Sequence, residues 1–267
     1  MASFSVVTNI ASVNAQANLY ATNIGLRTAL TRVSSGFRIN SSGDDAAGLA
    51  VANAYRSKVA VVQQGIRNAN DGLSTLQIKD GALDNISKLI DRMATLATQA
   101  ASASFTGDRT TLNNEFADLK SEITREATVA GLTASAGFSV FISSESSPAD
   151  GIVSGTIGAA TATVLGLTGT IETASNAQTA LGQVTSAISL LGTVQGQVGQ
   201  IQNRLSYAIS LAQSQSVNIK AAESRIRDAN IAEESANLTR FSILNQSGIA
   251  ALAQANQATS AVLTLLR

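Results

Sequence analysis

Apolar residues along most of the 267-residue chain recur at alternating steps of three and four positions. That spacing places side chains on one face of an α-helix and is typical of helices that pair as coiled coils. The first such stripe leads into Ser34-Ser35-Gly36, a sequence that ends helices. It consists of Leu19, Leu26, Leu30, Val33 and Phe37, with Asn23 in the slot where a further apolar residue would fit.

A much longer stripe follows a polar loop, in which Asp44 or Asp45 is suited to cap the next helix. No proline interrupts Ala46 to Ala100, so we predict one helix of about 80 Å at 1.5 Å per residue. Glycines inside this helix indicate close packing or weak points, and its narrow apolar face requires a coiled-coil partner. The stripe comprises Tyr55, Val59, Val62, Ile66, Ala69, Leu73 and Leu76, then Leu83, Ile86, Ile90 and Met93 after one shift in register.

The pattern changes in the middle of the chain. Residues 105–108 interrupt the helix, and a second, shorter helix begins near Leu112. Residues 131–169 hold seven of the twenty glycines and alternate apolar with polar positions at 138–142 and 161–165. Alternation between glycine-rich turns predicts one or two β-hairpins, in a segment too short for a further domain.

Helical spacing then returns up to Ile219, and a last helix extends from about Leu238 to Leu266. Antiparallel pairing of the two halves would bring the termini together. We therefore predict a mainly α fold with long antiparallel coiled-coil helices, a small β-hairpin region, and paired N- and C-terminal helices. The predicted seam of the fourth helical segment includes Leu181, Val184, Ile188, Leu191, Val198, Leu205 and Ile209.

Charge is almost absent from both ends of the chain. Only three arginines precede Asp44, the first acidic residue, and only Arg240 and Arg267 follow Glu234. A helix in water normally carries a charged outer face, and two helices alone cannot cover each other's full circumference. We therefore expect the terminal helices to be buried between subunits, or to order when a partner arrives. A plain internal two-helix core is the alternative.

Composition removes most enzyme chemistry and most ligand classes. The chain has no His and no Cys, which excludes imidazole-bearing zinc sites, Ser-His-Asp triads and thiol nucleophiles. The adjacent carboxylates, Asp44-Asp45 and Glu233-Glu234, point to different helix faces and form no dyad. With 18 basic and 18 acidic residues there is no basic footprint for nucleic acid, and no apolar run is long enough for a membrane. We expect no enzyme activity, no cofactor and no metal.

Several blocks of sequence, taken together and in order, resemble the signatures of one protein family. Residues 30–40 (LTRVSSGFRIN) and 44–50 (DDAAGLA) closely resemble the N-terminal signature of bacterial flagellins. Two short blocks at 68–72 and 81–83 resemble the next part of that signature. The C-terminal signature resembles residues 223–234 (ESRIRDANIAEE) and 252–257 (LAQANQ). The likeness covers about residues 1–130 and 175–267, in the family's order.

The resemblance implies a structural subunit that assembles into the helical filament of the bacterial flagellum for swimming. It implies an inner coiled-coil domain at 1–34 and 231–267, and spoke linkers at 35–43 and 223–230. A rod-like helical domain would occupy 44–130 and 175–222, with a β-hairpin or variable region at 131–174. The short middle, compared with flagellins that carry large outer domains, implies a thin and smooth filament.

The resemblance also assigns residues and partners. Export through the hollow filament would place the chain outside the cell, with an export chaperone and cap and junction proteins as further partners. A stretch recognised by an animal innate immune receptor aligns with residues 91–99. Arg92 and Leu96 in that stretch and the later Glu115 match the family, whereas Ala94 and Thr95 depart from it and imply weak recognition. The expected polymerisation contacts are Leu19, Leu26, Leu30, Val33, Phe37, Leu238, Phe241, Leu252 and Val262.

Two alternatives remain at this point. A hook–filament junction protein would share the terminal helices. A chemoreceptor-like signalling coiled coil, from a different functional class, would also be long, antiparallel and rich in Ala and Gln. It leaves the block at 44–50 without a role.

Overall fold

The structure is a computed structural model that describes residues 8–142 and 151–265, with side chains described as far as Gln257. This part of the chain forms five helices and one pair of strands, which confirms the predicted mainly α fold. The helices are α1 (Ile10–Ser35), α2 (Ala46–Ala101), α3 (Arg109–Val129), α4 (Ala174–Arg227) and α5 (Ile231–Leu265); the strands are β1 (Ala136–Phe141) and β2 (Ile152–Ile157).

The chain divides into two compact units. Unit 1 comprises Met1–Ser57 and Asn218–Arg267, and unit 2 comprises Lys58–Val217. Unit 1 contains α1 and α5, and unit 2 contains α3, both strands and most of α2 and α4. Each unit is described separately below.

Local hydrogen bonds set the ends of α1. The Asn9 side chain accepts a hydrogen bond from the Ser12 backbone N–H at 3.1 Å and caps the first turn. At the other end Gly36 takes φ 75° and donates its N–H to the Arg32 carbonyl at 2.9 Å. That left-handed conformation suits glycine, which confirms the predicted stop near residues 34–36.

The adjacent acids before α2 have different roles. Asp45 accepts a hydrogen bond from the Gly48 N–H at 2.8 Å and is the N-cap of α2. Asp44 instead accepts from the backbone N–H groups of Asn40 and Ser41, at 3.1 and 2.9 Å, and from the Ser41 hydroxyl. The backbone hydrogen bonds from Ser41 and Asn40 lower the pKa of Asp44, since they favour the charged carboxylate.

The core of unit 2 is a continuous cluster in which large apolar side chains and alanines of α2 and α3 meet those of α4. The long stripe of α2 is buried as predicted, including Leu76, Leu83, Ile86 and Ile90. Alanine alternates with larger residues on the facing side of α4 and allows the close approach that the seam requires. The buried residues of α4 within unit 2 are Ala177, Ala180, Val184, Ala187, Leu191, Val194, Val198, Ile201, Leu205, Ala212 and Ser216.

The prediction is wrong for one seam residue of α4. Ile188 is exposed, and Ala187 takes the buried position beside it. The two residues are adjacent, so the apolar spacing alone suits either one. The smaller side chain faces inward because the seam leaves little room there.

Lys79 and Arg109 close the ends of the helices in unit 2. The Lys79 ammonium donates to the carbonyls of Ala130 and Gly131, at 2.8 and 3.1 Å, where α3 ends. Partial burial lowers the pKa of Lys79. Arg109 donates to the carbonyls of Ala100 and Ser102 at the end of α2, at 3.0 and 2.9 Å. These cations sit where helix C-termini leave carbonyls without helical partners.

Strands β1 and β2 pair antiparallel, with Phe138 opposite Gly155 and Val140 opposite Val153. A Cβ at Gly65 of α2 would overlap the backbone carbonyl of Ile142. A Cβ at Gly72 would lie 2.8 Å from the Val140 side chain. Two of the glycines inside α2 therefore allow the β1 side of the hairpin to lie directly against that helix.

The predicted strand at 161–165 is wrong, because the segment is a turn. Leu165 donates its N–H to the Thr161 carbonyl and Leu167 to the Ala162 carbonyl, both at 2.9 Å, and Gly166 has φ 77°. Ala162 and Leu165 are both buried. A helical turn can bury residues three positions apart, so the apolar pattern over five residues did not distinguish it from a strand.

Replacing Gly65 with alanine should destabilise unit 2 by about 1–3 kcal/mol, since the added methyl group meets backbone that cannot move aside cheaply. Urea unfolding monitored by circular dichroism measures the change. Gly81→Ala is the matched control, because a Cβ there meets nothing within 4 Å. This control should raise the free energy of unfolding by up to about 1 kcal/mol through helix propensity. Equal effects of the two substitutions would contradict this packing.

The Asp44 carboxylate should release its hydrogen bonds only in acid. Because its folded pKa is lowered, the stability it contributes is fully present above about pH 4 and is lost as the pH falls through that folded pKa. NMR shifts of the Asn40 and Ser41 amide protons report this titration. Their midpoint should lie below about pH 4, and Asp44→Asn should abolish the transition. A midpoint at or above that pH would contradict the assignment.

Candidate assembly surface

Helices α1 and α5 form an antiparallel pair. Near the start of α1, Asn9 donates its side-chain amide to the Ala255 carbonyl at 2.8 Å, close to the end of the described side chains of α5. Midway, the Asn245 amide donates to the Asn23 oxygen at 2.8 Å. At the end of α1, Arg32 forms an ion pair of 3.0 Å with Glu234 in the first turn of α5. Residues later in α1 therefore contact residues earlier in α5, as an antiparallel pair requires.

The seam between these helices is thin. Among the described side chains of α1 only Ala29 is buried, and α5 has none. Two glycines bring the helices close together: a Cβ at Gly25 would lie 2.6 Å from the Phe241 ring, and one at Gly248 would lie 3.0 Å from Leu19. Six predicted contact residues are half-buried: Leu19, Leu26, Val33, Leu238, Phe241 and Leu252.

The other predicted contact residues have different surroundings. Leu30 is 56% exposed and does not pack in the seam. Phe37 is half-buried beneath the Arg227 guanidinium, which lies 4.1 Å from the centre of its ring. The side chain of Val262 lies outside the described residues. The predicted set therefore includes half-buried seam residues, one exposed residue of the same stripe and one residue of the connection to α4.

A second apolar stripe lies on the opposite side of α1. Ile10, Val13, Tyr20 and Ile24 recur at helical spacing about half a turn from the seam, and each is at least half exposed. No charged residue lies within α1 before Arg27. Several large apolar residues of α5 are exposed as well, and they lie around its circumference: Ile231, Ile243, Leu244 and Ile249. The pair is consequently apolar both inside and outside.

A short backbone bridge joins the segment after α1 to the segment between α4 and α5. Phe37 and Asp228 form an antiparallel bridge, in which the Arg38 N–H donates to the Arg227 carbonyl at 2.7 Å. The Ala229 N–H donates to the Gly36 carbonyl at 2.9 Å. This bridge, together with the Arg227–Phe37 contact, fixes the entry and exit of the helix pair within unit 1.

The residues that the resemblance assigned to an immune receptor lie in unit 2. Arg92 and Glu115 form an exposed ion pair of 2.6 Å between α2 and α3. Leu96 is 1% exposed and belongs to the core cluster. The structure thus brings Arg92 and Glu115 together at the surface and places Leu96 beneath it.

The polar and small residues of the helix pair could not be found from the apolar pattern of the sequence. A pattern of apolar positions does not include glycines or charged residues, so it did not indicate Gly25, Gly248 or the Arg32–Glu234 ion pair. Asn23 did leave a signal, since it occupies an apolar slot of the first stripe, and its partner Asn245 explains that exception.

The described residues were also compared with the requirements for a metal site and for a membrane-spanning helix. Within residues 8–142 and 151–265 there is no group of three or more acidic residues arranged to hold a metal ion. Over the same residues, no helix combines the length and apolarity that crossing a bilayer demands. The main surface feature of α1 and α5 is their exposed apolar side chains.

Comparison with known proteins accounts for this arrangement. Residues 6–133 match the model of the bacterial flagellin N-terminal helical region, and residues 177–266 match that of the C-terminal helical region. Flagellin of Halalkalibacterium halodurans is 35% identical over 97% of this chain and 98% of its own length. The flagellar filament 33 kDa core protein of Treponema phagedenis is 34% identical over the same shares.

A solved structure, that of Bacillus cereus flagellin, aligns with a TM-score of 0.48 and 28% identity, covering 59% of this chain and 94% of that one. The family models match most of the sequence, and the relatives match it nearly end to end. The chain belongs to the bacterial flagellin family and is a structural subunit of the flagellar filament.

Proposed function

We propose that the chain polymerises through the outer faces of α1 and α5, which are covered by other copies of the chain in the filament. The observation that carries this proposal is the apolar, nearly uncharged surface opposite the α1–α5 seam. Soluble monomers seldom leave such a surface in water, and contiguous apolar patches of this kind mark interaction sites.

The energetics favour coupling between assembly and order in unit 1. The seam of α1 and α5 buries few side chains, so the isolated pair gains little from packing. Each large apolar side chain moved from water into an interface contributes about 1.5–3 kcal/mol before the costs of association. The four outer residues of α1 alone would then supply several kcal/mol per subunit. Contacts with neighbouring copies would stabilise the helices that make them.

We further propose the domain arrangement that the family resemblance implies. Residues 1–34 and 231–267 would form the inner coiled coil, and 44–130 with 175–222 the surrounding rod layer. The linkers at 35–43 and 223–230 contain the Phe37–Asp228 bridge, which would hold the inner pair in place. Residues 131–174, with the single hairpin, would form the small remaining region.

The proposed partners are other flagellin subunits, an export chaperone, and the cap and junction proteins of the flagellum, with the filament lying outside the cell. Membership of the flagellin family supports these partners, and it supports a mechanical rather than a catalytic role. Neither a junction protein nor a signalling coiled coil gains support, since the matching family models are those of flagellin.

For the immune receptor, Arg92 and Glu115 are the proposed surface contacts, and Leu96 would act by supporting them from the core. Ala94 and Thr95 replace residues that the family usually carries there, so purified monomer should stimulate receptor-bearing cells weakly. A strong response at low concentration would contradict that proposal.

Leu30→Asp should stop polymerisation while unit 2 stays folded. Leu30 belongs to the same stripe as Leu19 and Leu26 but is 56% exposed, so the substitution removes little packing within the α1–α5 pair and places a charge on exposed apolar surface of α1 that other copies would cover. Seeded assembly of the full chain, followed by light scattering and electron microscopy, measures the loss. Circular dichroism in urea checks that unit 2 unfolds at the wild-type concentration of denaturant.

Ile78→Asp is the matched control. Ile78 is 66% exposed on α2 and has charged neighbours, Lys79 and Asp80. Assembly of this control should match the wild type. Filaments of normal yield from Leu30→Asp would contradict the proposed role of the terminal helices.

A further inference from the structure

The seam between α1 and α5 contains a pair of side-chain amides midway along its length. The Asn245 amide donates to the Asn23 oxygen at 2.8 Å, and both residues are half-buried. Asn245 lies seven residues from Leu238 and seven from Leu252, and both leucines are half-buried on the same face of α5. Leucine at these two positions would bury more apolar surface, so packing alone does not account for the asparagines.

The apolar residues of the seam do not define one register. They recur every seven residues in both helices, so a slip of α5 by seven residues would place apolar side chains at seam positions again. The ion pair described between the helices, Arg32–Glu234, lies at one end of the seam. The recurring positions are Leu19, Leu26 and Val33 on α1, and Leu238 and Leu252 on α5.

Two hydrogen bonds near the start of α1 also place weak limits on the register. Asn9 donates to the backbone carbonyl of Ala255, and a backbone carbonyl is available in every register. The Ser12 hydroxyl donates to the Asn256 side chain at 3.0 Å, but this bond is exposed, so water can replace it at little cost.

The amide pair does distinguish the registers. After a slip of seven residues in one direction or the other, Asn23 would face Leu252 or Leu238 in place of Asn245. Its amide would then lie in a partly buried seam without its partner. An unpaired amide there disfavours each slipped register by about tenfold. Asparagine at one apolar position of a coiled coil sets register in this way and lowers stability.

We infer that the Asn23–Asn245 pair selects the register of α1 against α5. A slip by seven residues would move the outer side chains of α5 by about 10 Å along those of α1. The pair therefore determines which residues lie side by side on the outer surface of unit 1. That this matters for assembly rests on the proposed function, whereas the register preference is a property of the single chain.

Introduced cysteines report the register, because the chain has no cysteine of its own. A Cβ at Gly248 would lie 3.9 Å from the Leu19 Cβ, so Leu19→Cys with Gly248→Cys suits a disulfide in the observed register. Leu19→Cys with Ala255→Cys reports a slip by seven residues, and Leu19→Cys with Phe241→Cys reports the opposite slip. Equilibration of the dissociated full chain with glutathione measures the formation constant of each disulfide.

In the wild-type background the disulfide of the observed register should be favoured over either slipped disulfide by about tenfold or more. Asn23→Leu together with Asn245→Leu should reduce this preference by about tenfold, since slipped registers then bury leucine without an unpaired amide. The same double substitution should slow hydrogen exchange in α1 and α5, because the seam gains apolar surface.

Faster exchange with an unchanged register preference would overturn the inference, because it would show that the amide pair only stabilises the helices. Arg32→Gln with Glu234→Gln is the control that removes the ion pair at the end of the seam. This control should change the preference several-fold less than the leucine pair does, since such ion pairs contribute little. An equal or larger change in the control would overturn the assignment to the asparagines. The proposed function is tested separately by Leu30→Asp, so the two can fail independently.

Discussion

The constraint on which the rest of this molecule depends is that two helices cannot bury apolar surface that extends around both of them. Helices α1 and α5 meet along a seam of half-buried side chains, closed by Gly25, Gly248 and a few polar contacts. The side of α1 away from the seam is as apolar as the seam itself. On the proposed function, the free energy that orders these helices would come largely from neighbouring copies in the filament.

Unit 2, in contrast, has a continuous core of buried side chains. Side chains of α2 and α3 pack against the alanines and larger apolar residues of α4, and Gly65 and Gly72 bring the hairpin directly against α2. Lys79 and Arg109 bond to carbonyls at helix C-termini, and the Asp108 carboxylate caps the N-terminus of α3. A unit with its own continuous core, joined to a helix pair with exposed apolar surface, would suit a subunit that must be stable before assembly and cohesive after it.

Much of this organisation could be predicted from the sequence because heptad spacing is a strong signal over long helices. The α2 stripe, the stop at Gly36 and the cap before Ala46 were all recognisable. Short segments were harder: the turn at 161–165 resembles a strand over five residues, and Ile188 is separated from the true seam by one position. Spacing also could not predict burial within one stripe, since Leu26 is half-buried whereas Leu30 is 56% exposed. That distinction depends on how the partner helix is rotated, which only the folded pair defines.

Hydrogen exchange of the full chain before and after polymerisation tests the central claim most directly. If neighbouring copies complete the terminal helices, the backbone amides of α1 and α5 should exchange rapidly in the dissociated subunit and become strongly protected in the filament. Amides in the core of α2, around Leu83 to Met93, should be protected in both states. Equal protection of α1 and α5 in subunit and filament would contradict the account, because it would mean that the pair is stable without its neighbours.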